Sequence, residues 1–277
     1  MIEYAKMKFG KKPAKIDPRT LKVEKYFLAS LAPAPDDCDY TGGVTEFGMM
    51  LNGPNSYGPP VPPEGLGCCT ISAPGHAEQT ATLASTGTMW TPPDSDILQR
   101  YTEWDGYIPG DEGTDNGGVE IDVLNDWHQT SFWKHYLMAY ADPVVTNLDH
   151  IKKSIYYFGG LYIGLQLPNT ALSQETWDVV PDAATNSDAL ANPNNGHAVW
   201  VPKYRTLADG SLVLTCITWG QQLDITQAFW VYTDVDGNPY VDEAHALCLC
   251  DFVGKAGKDP AGLDIPQMLA DKQLVTG

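Results

Sequence analysis

The order of the elements predicts an α+β fold. Helix signals come first, strand candidates crowd together beyond residue 196, and no internal repeat or obvious linker divides them. A chain of 277 residues with 43% hydrophobic content is long enough to bury one large core. A single domain, residues 37–277, is therefore expected behind an extended basic N-terminal arm, residues 1–36.

Within the arm, Pro13, Asp17-Pro18, Pro33 and Pro35 surround one periodic segment, Leu21 to Leu31, which allows at most one helix. Pro54 to Gly67 holds five prolines and is expected to be a stiff loop that delivers the chain to Cys68. The residues after Cys69 are small and weakly amphipathic, as a buried helix requires, while Pro74-Gly75 predicts a kink or a later start. Asp94-Ser95-Asp96 opens a second helix, and Val119 to Trp127 forms a third after Asn116-Gly117-Gly118. Asn147-Leu148-Asp149 leads into a fourth, Ile151 to Phe158, which Gly159-Gly160 ends before a strand at Leu161–Leu167. Residues 178–196 read as a loop. The strand candidates that follow are His197–Tyr204, Ser211–Thr218, Ala228–Thr233 and His245–Phe252, with a turn at Asp236-Gly237-Asn238-Pro239.

The net charge is −18, which repels phosphate backbones and anionic membrane surfaces, so neither nucleic acid nor membrane is an expected partner. The charge is uneven: residues 1–25 carry +5 and the remainder −23. A basic arm of this kind lies across its own acidic body or clasps an acidic protein partner in an assembly. There is no apolar run long enough to span a bilayer, and Met1 to Lys8 is charged where a signal peptide would be apolar, so a cytoplasmic or virion-associated protein is expected. Six cysteines, Cys38, Cys68, Cys69, Cys216, Cys248 and Cys250, are too few for a disulfide scaffold and read as reduced thiols. No paired Cys-x-x-Cys or His-x-x-x-His spacing is present, so a zinc site at Cys68, Cys69 and His76 has little support, and no metal or cofactor is expected. Asp234, Asp236 and Asn238 read as a turn, because no glutamate closes a calcium loop.

The chemistry-bearing pair is Gly67-Cys68-Cys69-Thr70 with Gly196-His197-Ala198-Val199. His197 lies 128 residues after Cys69, close to the order and spacing of a cysteine nucleophile and its histidine base. A thiol at a helix N-terminus faces the positive end of the dipole, which favours thiolate. The bland readings are a small cysteine packed in the core and a strand-end histidine satisfied by a carbonyl. Trp219 reads as core or pocket wall.

From about residue 45 to 252 the chain resembles the papain-like cysteine peptidase superfamily. The residues that carry the likeness are Gly67 to Ala73, Asn116-Gly117-Gly118-Val119 before a helix, Ile151 to Ile155 with Gly159 and Leu161 to Leu165, Gly196 to Val199, and Thr218-Trp219-Gly220-Gln221. The whole chain is also similar to a group of bacterial and phage proteins through Lys8-Phe9-Gly10, Asp17-Pro18-Arg19-Thr20-Leu21 and Val119 to Asn125. The resemblance implies a papain-like fold and a hydrolase of peptide or isopeptide bonds, with Cys69 as nucleophile and His197 as base. An acyl transferase would use the same dyad.

Two positions depart from that pattern. The asparagine expected two residues before Trp-Gly to orient the histidine is Ile217, and the glutamine expected six residues before the nucleophile is Pro63, which offers no donor. Asn55 is the substitute donor if the proline-rich segment loops out, and Thr218 or Gln221 is the substitute orienting group. The rival expectation is a papain-like scaffold whose chemistry has lapsed, serving as a structural or binding protein such as a phage virion component, with the basic arm docking on a neighbouring subunit.

Overall fold

The computed structural model describes residues 7–132, 134–252 and 262–276; residues 1–6 of the expected arm lie outside the described residues. The helices are α1 (Cys69–Thr86), α2 (Asp94–Asp105), α3 (Glu120–Gln129), α4 (Leu148–Phe158), the single turn α5 (Gln227–Trp230) and α6 (Ile265–Thr276). The strands are β1 (Leu21–Lys22), β2 (Asp37–Asp39), β3 (Leu137–Asp142), β4 (Leu161–Gln166), β5 (Thr176–Trp177), β6 (Gly196–Thr206), β7 (Leu212–Thr218), β8 (Gln221–Thr226) and β9 (Val241–Leu249). They form one sheet in the order β1-β3-β9-β4-β6-β7-β8-β5, with β2 paired to β6. The long central pairings are antiparallel, and only the two-residue strands β1 and β5 join in parallel.

Helix α1 explains its own composition. Every residue from Cys69 to Thr82 is buried, so the helix has no solvated face and is built from small side chains that let it press against β6. Trp200 of β6 donates from its indole to Thr80 Oγ1 at 2.8 Å, locking the two elements. Pro74 neither delays the helix nor breaks it. A proline at this position withholds the amide that would bond the Thr70 carbonyl, and Tyr162 of β4 supplies the missing donor, its hydroxyl 2.9 Å from Thr70 O.

The other helices follow their local signals. Asn147 caps α4 by accepting from the amides of Asp149 and His150, and Gly159 ends it at φ 86°, a left-handed conformation that glycine adopts without strain.

Several local expectations are corrected. Leu21 to Leu31, where at most one helix was expected, holds β1, paired with Ala141 and Asp142, and then one 3-10 turn, Val23–Lys25. The three-residue spacing that puts Val23 and Tyr26 in the core serves a 3-10 turn as well as an α-helix. Ala228–Thr233 is not a strand; α5 stands there, capped by Thr226 Oγ1 on the Phe229 amide, and the strand is the preceding alternating segment, β8. Strand β3 gave no recognised signal. At Asp234 the carboxylate accepts backbone amides of Asp236, Asn238 and Ala191, which ties the turn to the loop before β6.

The arm's cations meet body acids. Lys8 reaches Asp115, Lys11 reaches Asp242 and Glu243, Lys15 reaches Asp122, Lys22 reaches Asp142 and Lys25 reaches Asp271. The exposed pairs contribute little each, but Lys11 is buried and differs in kind. Among the described residues, no helix is long and apolar enough to cross a membrane.

Candidate active site

Cys68 and Cys69 point to different places. The Cys68 sulfur faces the core, against the Met50 carbonyl at 3.6 Å and Ser72 Oγ at 3.5 Å, and burial pushes its thiol far above the ordinary value. Cys69 opens α1, and the backbone amides of Ala198 and Gly10 lie near its sulfur, that of Gly10 being bonded to Gly196 O. Burial pushes this thiol up to about 12, an effect those two amides only partly oppose.

His197 lies beside Ala198 at the start of β6, in register with Leu165 of β4. Its Nε2 lies 2.7 Å from Thr218 Oγ1, and its Nδ1, buried, has no hydrogen-bond partner among the described residues. Burial, reinforced by His76, lowers this imidazole to about 3. Trp219 stacks on the ring with centroids 4.1 Å apart and planes 13° apart. The stacking follows from the turn between β7 and β8, where Trp219 at φ 43° and Gly220 at φ 74° make a two-residue hairpin with both residues left-handed. A tryptophan held in that conformation carries backbone strain of about 1–3 kcal/mol. The strain places its indole over His197.

The remaining sequence candidates separate. Thr218 meets His197. Gln221 is exposed on β8, opposite Thr218 across the hairpin. Asn55 works inside the proline-rich loop, its amide donating to the carbonyls of Gly53 and Pro62 and its oxygen accepting from Tyr57 N. That loop does stand out from the domain, pinched at its base by Leu66 N on the Leu51 carbonyl at 2.7 Å. The side chain the pinch leaves at the cleft is Asn52, 2% exposed, whose Nδ2 donates to Leu66 O at 2.9 Å and to Lys8 O at 3.3 Å. Asn52 was missed because its distance from Cys69 includes the loop. The Asn-Gly step just before the prolines was the available signal. His76 is buried in α1 and bonded to Gln79.

Between the helical and sheet sides runs the chain's own segment Lys8–Lys12. Gly10 and Lys11 donate to Gly196 O at 3.1 and 2.9 Å, Gly118 N donates to Gly10 O at 2.8 Å, and Lys12 N donates to Gly118 O at 2.8 Å. The pairing of Lys11 with Gly118 is parallel. Three glycines make the crossing: a Cβ on Gly10 would stand 1.6 Å from Gly67 O, and one on Gly117 would stand 1.7 Å from Gly10 O. Phe9 meets both His197 and Trp219 edge-on, at 5.8 and 5.7 Å. Asp115 fastens the turn before Cys68, accepting from Gly67 N and Tyr101 OH while pairing with Lys8.

A second polar group lies below the arm. Glu120, Glu243 and His245 are buried with ligand atoms within 4.8 Å of one another, a spacing a metal ion would fit. The donor chemistry argues otherwise. Burial would lower His245, but Asp142, 2.6 Å from its Nδ1, and Glu243 raise it to about 10, so it holds its proton. The ammonium of Lys11 stands 3.0 Å from Glu243.

No family model and no curated protein matches this sequence. Solved structures do. Xylellain, a cysteine protease from Xylella fastidiosa, superposes with a TM-score of 0.59 at 15% identity, covering 87% of this chain and 96% of its own. The proform of the ragweed pollen cysteine protease Amb a 11 gives 0.52 at 14% identity, over 85% of this chain and 70% of that one. Procathepsin L 3 from the larval midgut of Tenebrio molitor gives 0.53 at 11% identity, over 83% and 76%. The fold is that of the papain-like cysteine proteases.

Proposed function

We propose that the chain is a papain-like cysteine hydrolase of peptide or isopeptide bonds, held closed by its own residues 8–12. The observation that carries this reading is at the arm: the Cys69 thiol, at the start of α1, lies near the backbone of Ala198, the residue next to His197, while His197 has its Nε2 engaged by Thr218 and its Nδ1 without a partner among the described residues. Thr218 holds the ring as the missing asparagine would, its hydroxyl accepting from or donating to Nε2 according to tautomer.

In the reaction, His197 Nδ1 accepts the Cys69 proton, and the thiolate attacks the substrate carbonyl carbon to form the C–S bond. The amide of Cys69 and Nδ2 of Asn52 stabilise the oxyanion. The imidazolium then gives its proton to the leaving amine as the C–N bond breaks, leaving a thioester. Water, deprotonated by His197, hydrolyses the thioester, and the carboxylic acid departs as the thiol re-forms.

In the closed state the pair is neutral, thiol and imidazole, because burial disfavours both charged forms. Withdrawal of Phe9 and Gly10 readmits water and removes that penalty. Two of the matched structures are themselves a proform and a procathepsin, which supports reading residues 8–12 as a removable block.

The same neutral pair favours a second reading, a lapsed scaffold retained as a structural or binding protein. Alkylation distinguishes them. In the hydrolase, an iodoacetamide or vinyl-sulfone probe labels Cys69 at neutral pH once the arm is displaced, the label is lost in Cys69→Ala and kept in Cys68→Ala, and His197→Ala suppresses it. Equal labelling of both cysteine variants, or labelling indifferent to His197, supports the lapsed scaffold.

A further inference from the structure

Lys11 ends in a chamber that its own sequence neighbourhood does not explain. Its side chain is 1% exposed, and its ammonium lies 2.8 Å from Asp242, 3.0 Å from Glu243 and 3.2 Å from the Lys12 carbonyl. The contacts to Asp242 and the Lys12 carbonyl are hydrogen bonds, whereas Glu243 is held as an ion pair whose Oε1 has no hydrogen-bond partner among the described residues. A further carboxylate, Glu120, acts on the same ammonium, is 0% exposed, and has neither oxygen hydrogen-bonded. A fully buried carboxyl without a hydrogen bond is costly: burial raises Glu120 well above the ordinary carboxylate range, and His245 Nε2, 3.8 Å away, is too far to bond it, so a donor reaching Glu120 would relieve that cost.

Space is reserved as well as charge. Gly164 of β4 has an ordinary backbone conformation, so nothing in its φ calls for glycine; a Cβ there would stand 2.0 Å from Lys11 Cε. The glycine clears a channel for a long side chain. The backbone from which that side chain departs pairs with Gly118 and Gly196, the two walls of the cleft.

We infer that the chamber formed by Glu120, Asp242, Glu243 and Gly164 is the specificity pocket of the cleft and takes a lysine or arginine side chain of a polypeptide substrate, with Lys11 as its resident stand-in. The ligand is a substrate only on the cysteine-hydrolase reading above, on which this inference rests. An arginine carries five N–H donors in a planar fork and reaches Glu120 while still serving Asp242 and Glu243. Apolar and acidic side chains leave three buried carboxylates to share the imidazolium of His245, which stands 3.5 Å from Glu243 and 3.8 Å from Glu120.

Two measurements on the full chain separate the pocket from the chemistry. In the Lys11→Ala, Cys69→Ala protein, calorimetry with the hexapeptide of residues 8–13, Lys-Phe-Gly-Lys-Lys-Pro, is expected to give at least about tenfold tighter binding than the same peptide with leucine in place of its fourth residue, and arginine there binds at least as well as lysine. Glu120→Gln with Glu243→Gln reduces the lysine preference to about twofold or less. Should Lys11→Ala not fold, Lys11→Leu carries the same test. Equal binding of the lysine and leucine peptides, binding of neither, or a preference that survives the double glutamine variant overturns the pocket. In the protein with Cys69 intact, vinyl-sulfone peptides scanned position by position are expected to label Cys69 fastest with lysine or arginine at one position. Lysine-selective binding without any Cys69 labelling sinks the hydrolase reading and with it the substrate assignment, while labelling without basic preference sinks the pocket alone.

Discussion

Gly10→Ala tests the closed cleft with one methyl group. In the docked arm the new Cβ stands 1.6 Å from the carbonyl oxygen and 2.3 Å from the carbonyl carbon of Gly67. Both partners are backbone, and Gly67 is fixed by Asp115 on its amide and by the start of α1, so no side chain can move aside. Overpacking that side chains relieve costs about 1–3 kcal/mol; here the upper end, about 3 kcal/mol, is a lower bound on the loss of arm docking. At 1.4 kcal/mol per factor of ten, the ratio of open to closed cleft rises at least about 100-fold. Opening also returns the Cys69 thiol from about 12 toward its ordinary range, so labelling by iodoacetamide at pH about 8 accelerates with the open fraction. Intact-mass spectrometry with peptide mapping reads the rate at Cys69, with Ile16→Ser, at a 92% exposed arm position, as the control. A rate within about twofold of the parent, with the domain folded, would refute arm gating. Simultaneous labelling of buried Cys216 and Cys248 would reveal global unfolding instead.

The other expectations follow from individual contacts. Thr218→Val removes the hydroxyl that bonds His197 Nε2 and is expected to slow probe labelling of Cys69 in the opened protein about 10–100-fold, with the pH profile of labelling displaced; an unchanged profile would show that Thr218 does not position the ring. Asn52→Leu is expected to reduce turnover about 10²–10³-fold, whereas Asn55→Leu loosens the proline-rich loop and leaves turnover near the parent's; the reverse ranking in steady-state kinetics would restore Asn55 as the donor. Stability is expected to peak near pH 6.5. His197 and His76 are held in the fold at about 3 and about 4 against an ordinary 6.5, so the stability they contribute is present above 6.5 and lost as pH falls toward those values. His245 is held at about 10, so its contribution is present below 6.5 and lost as pH rises toward 10. Thermal midpoints measured from pH 4 to 10 should trace this dome, and His245→Phe should flatten the alkaline limb; a monotonic curve would contradict the assignment.

Short-range chemistry determined much of the molecule. The apolar spacing of α3 and α4, the Asn147 cap of α4, the small residues of α1, the glycine at 159 and the proline-rich loop all act between residues a few positions apart, so they could be read in order along the chain. Cys69 and His197 were legible as residue types suited to one chemistry, and their separation suggested a meeting. Where the chain reads ambiguously, the sheet decided: the three-residue spacing of Val23 and Tyr26 suits two kinds of helix, and the alternation of β8 means little until β7 and β5 flank it.

Only the tertiary structure turned the Cys68 sulfur toward the core, put Thr218 on His197, and closed the loop that sets Asn52 against Lys8 of the arm. It also gathered Glu120 from α3 and Asp242 with Glu243 from β9 around a lysine more than a hundred residues away. Periodicity and capping are local, and leave a mark in the sequence. A cleft is made by the ends of elements that meet through chain closure, and its acids are spaced in three dimensions without any spacing along the chain.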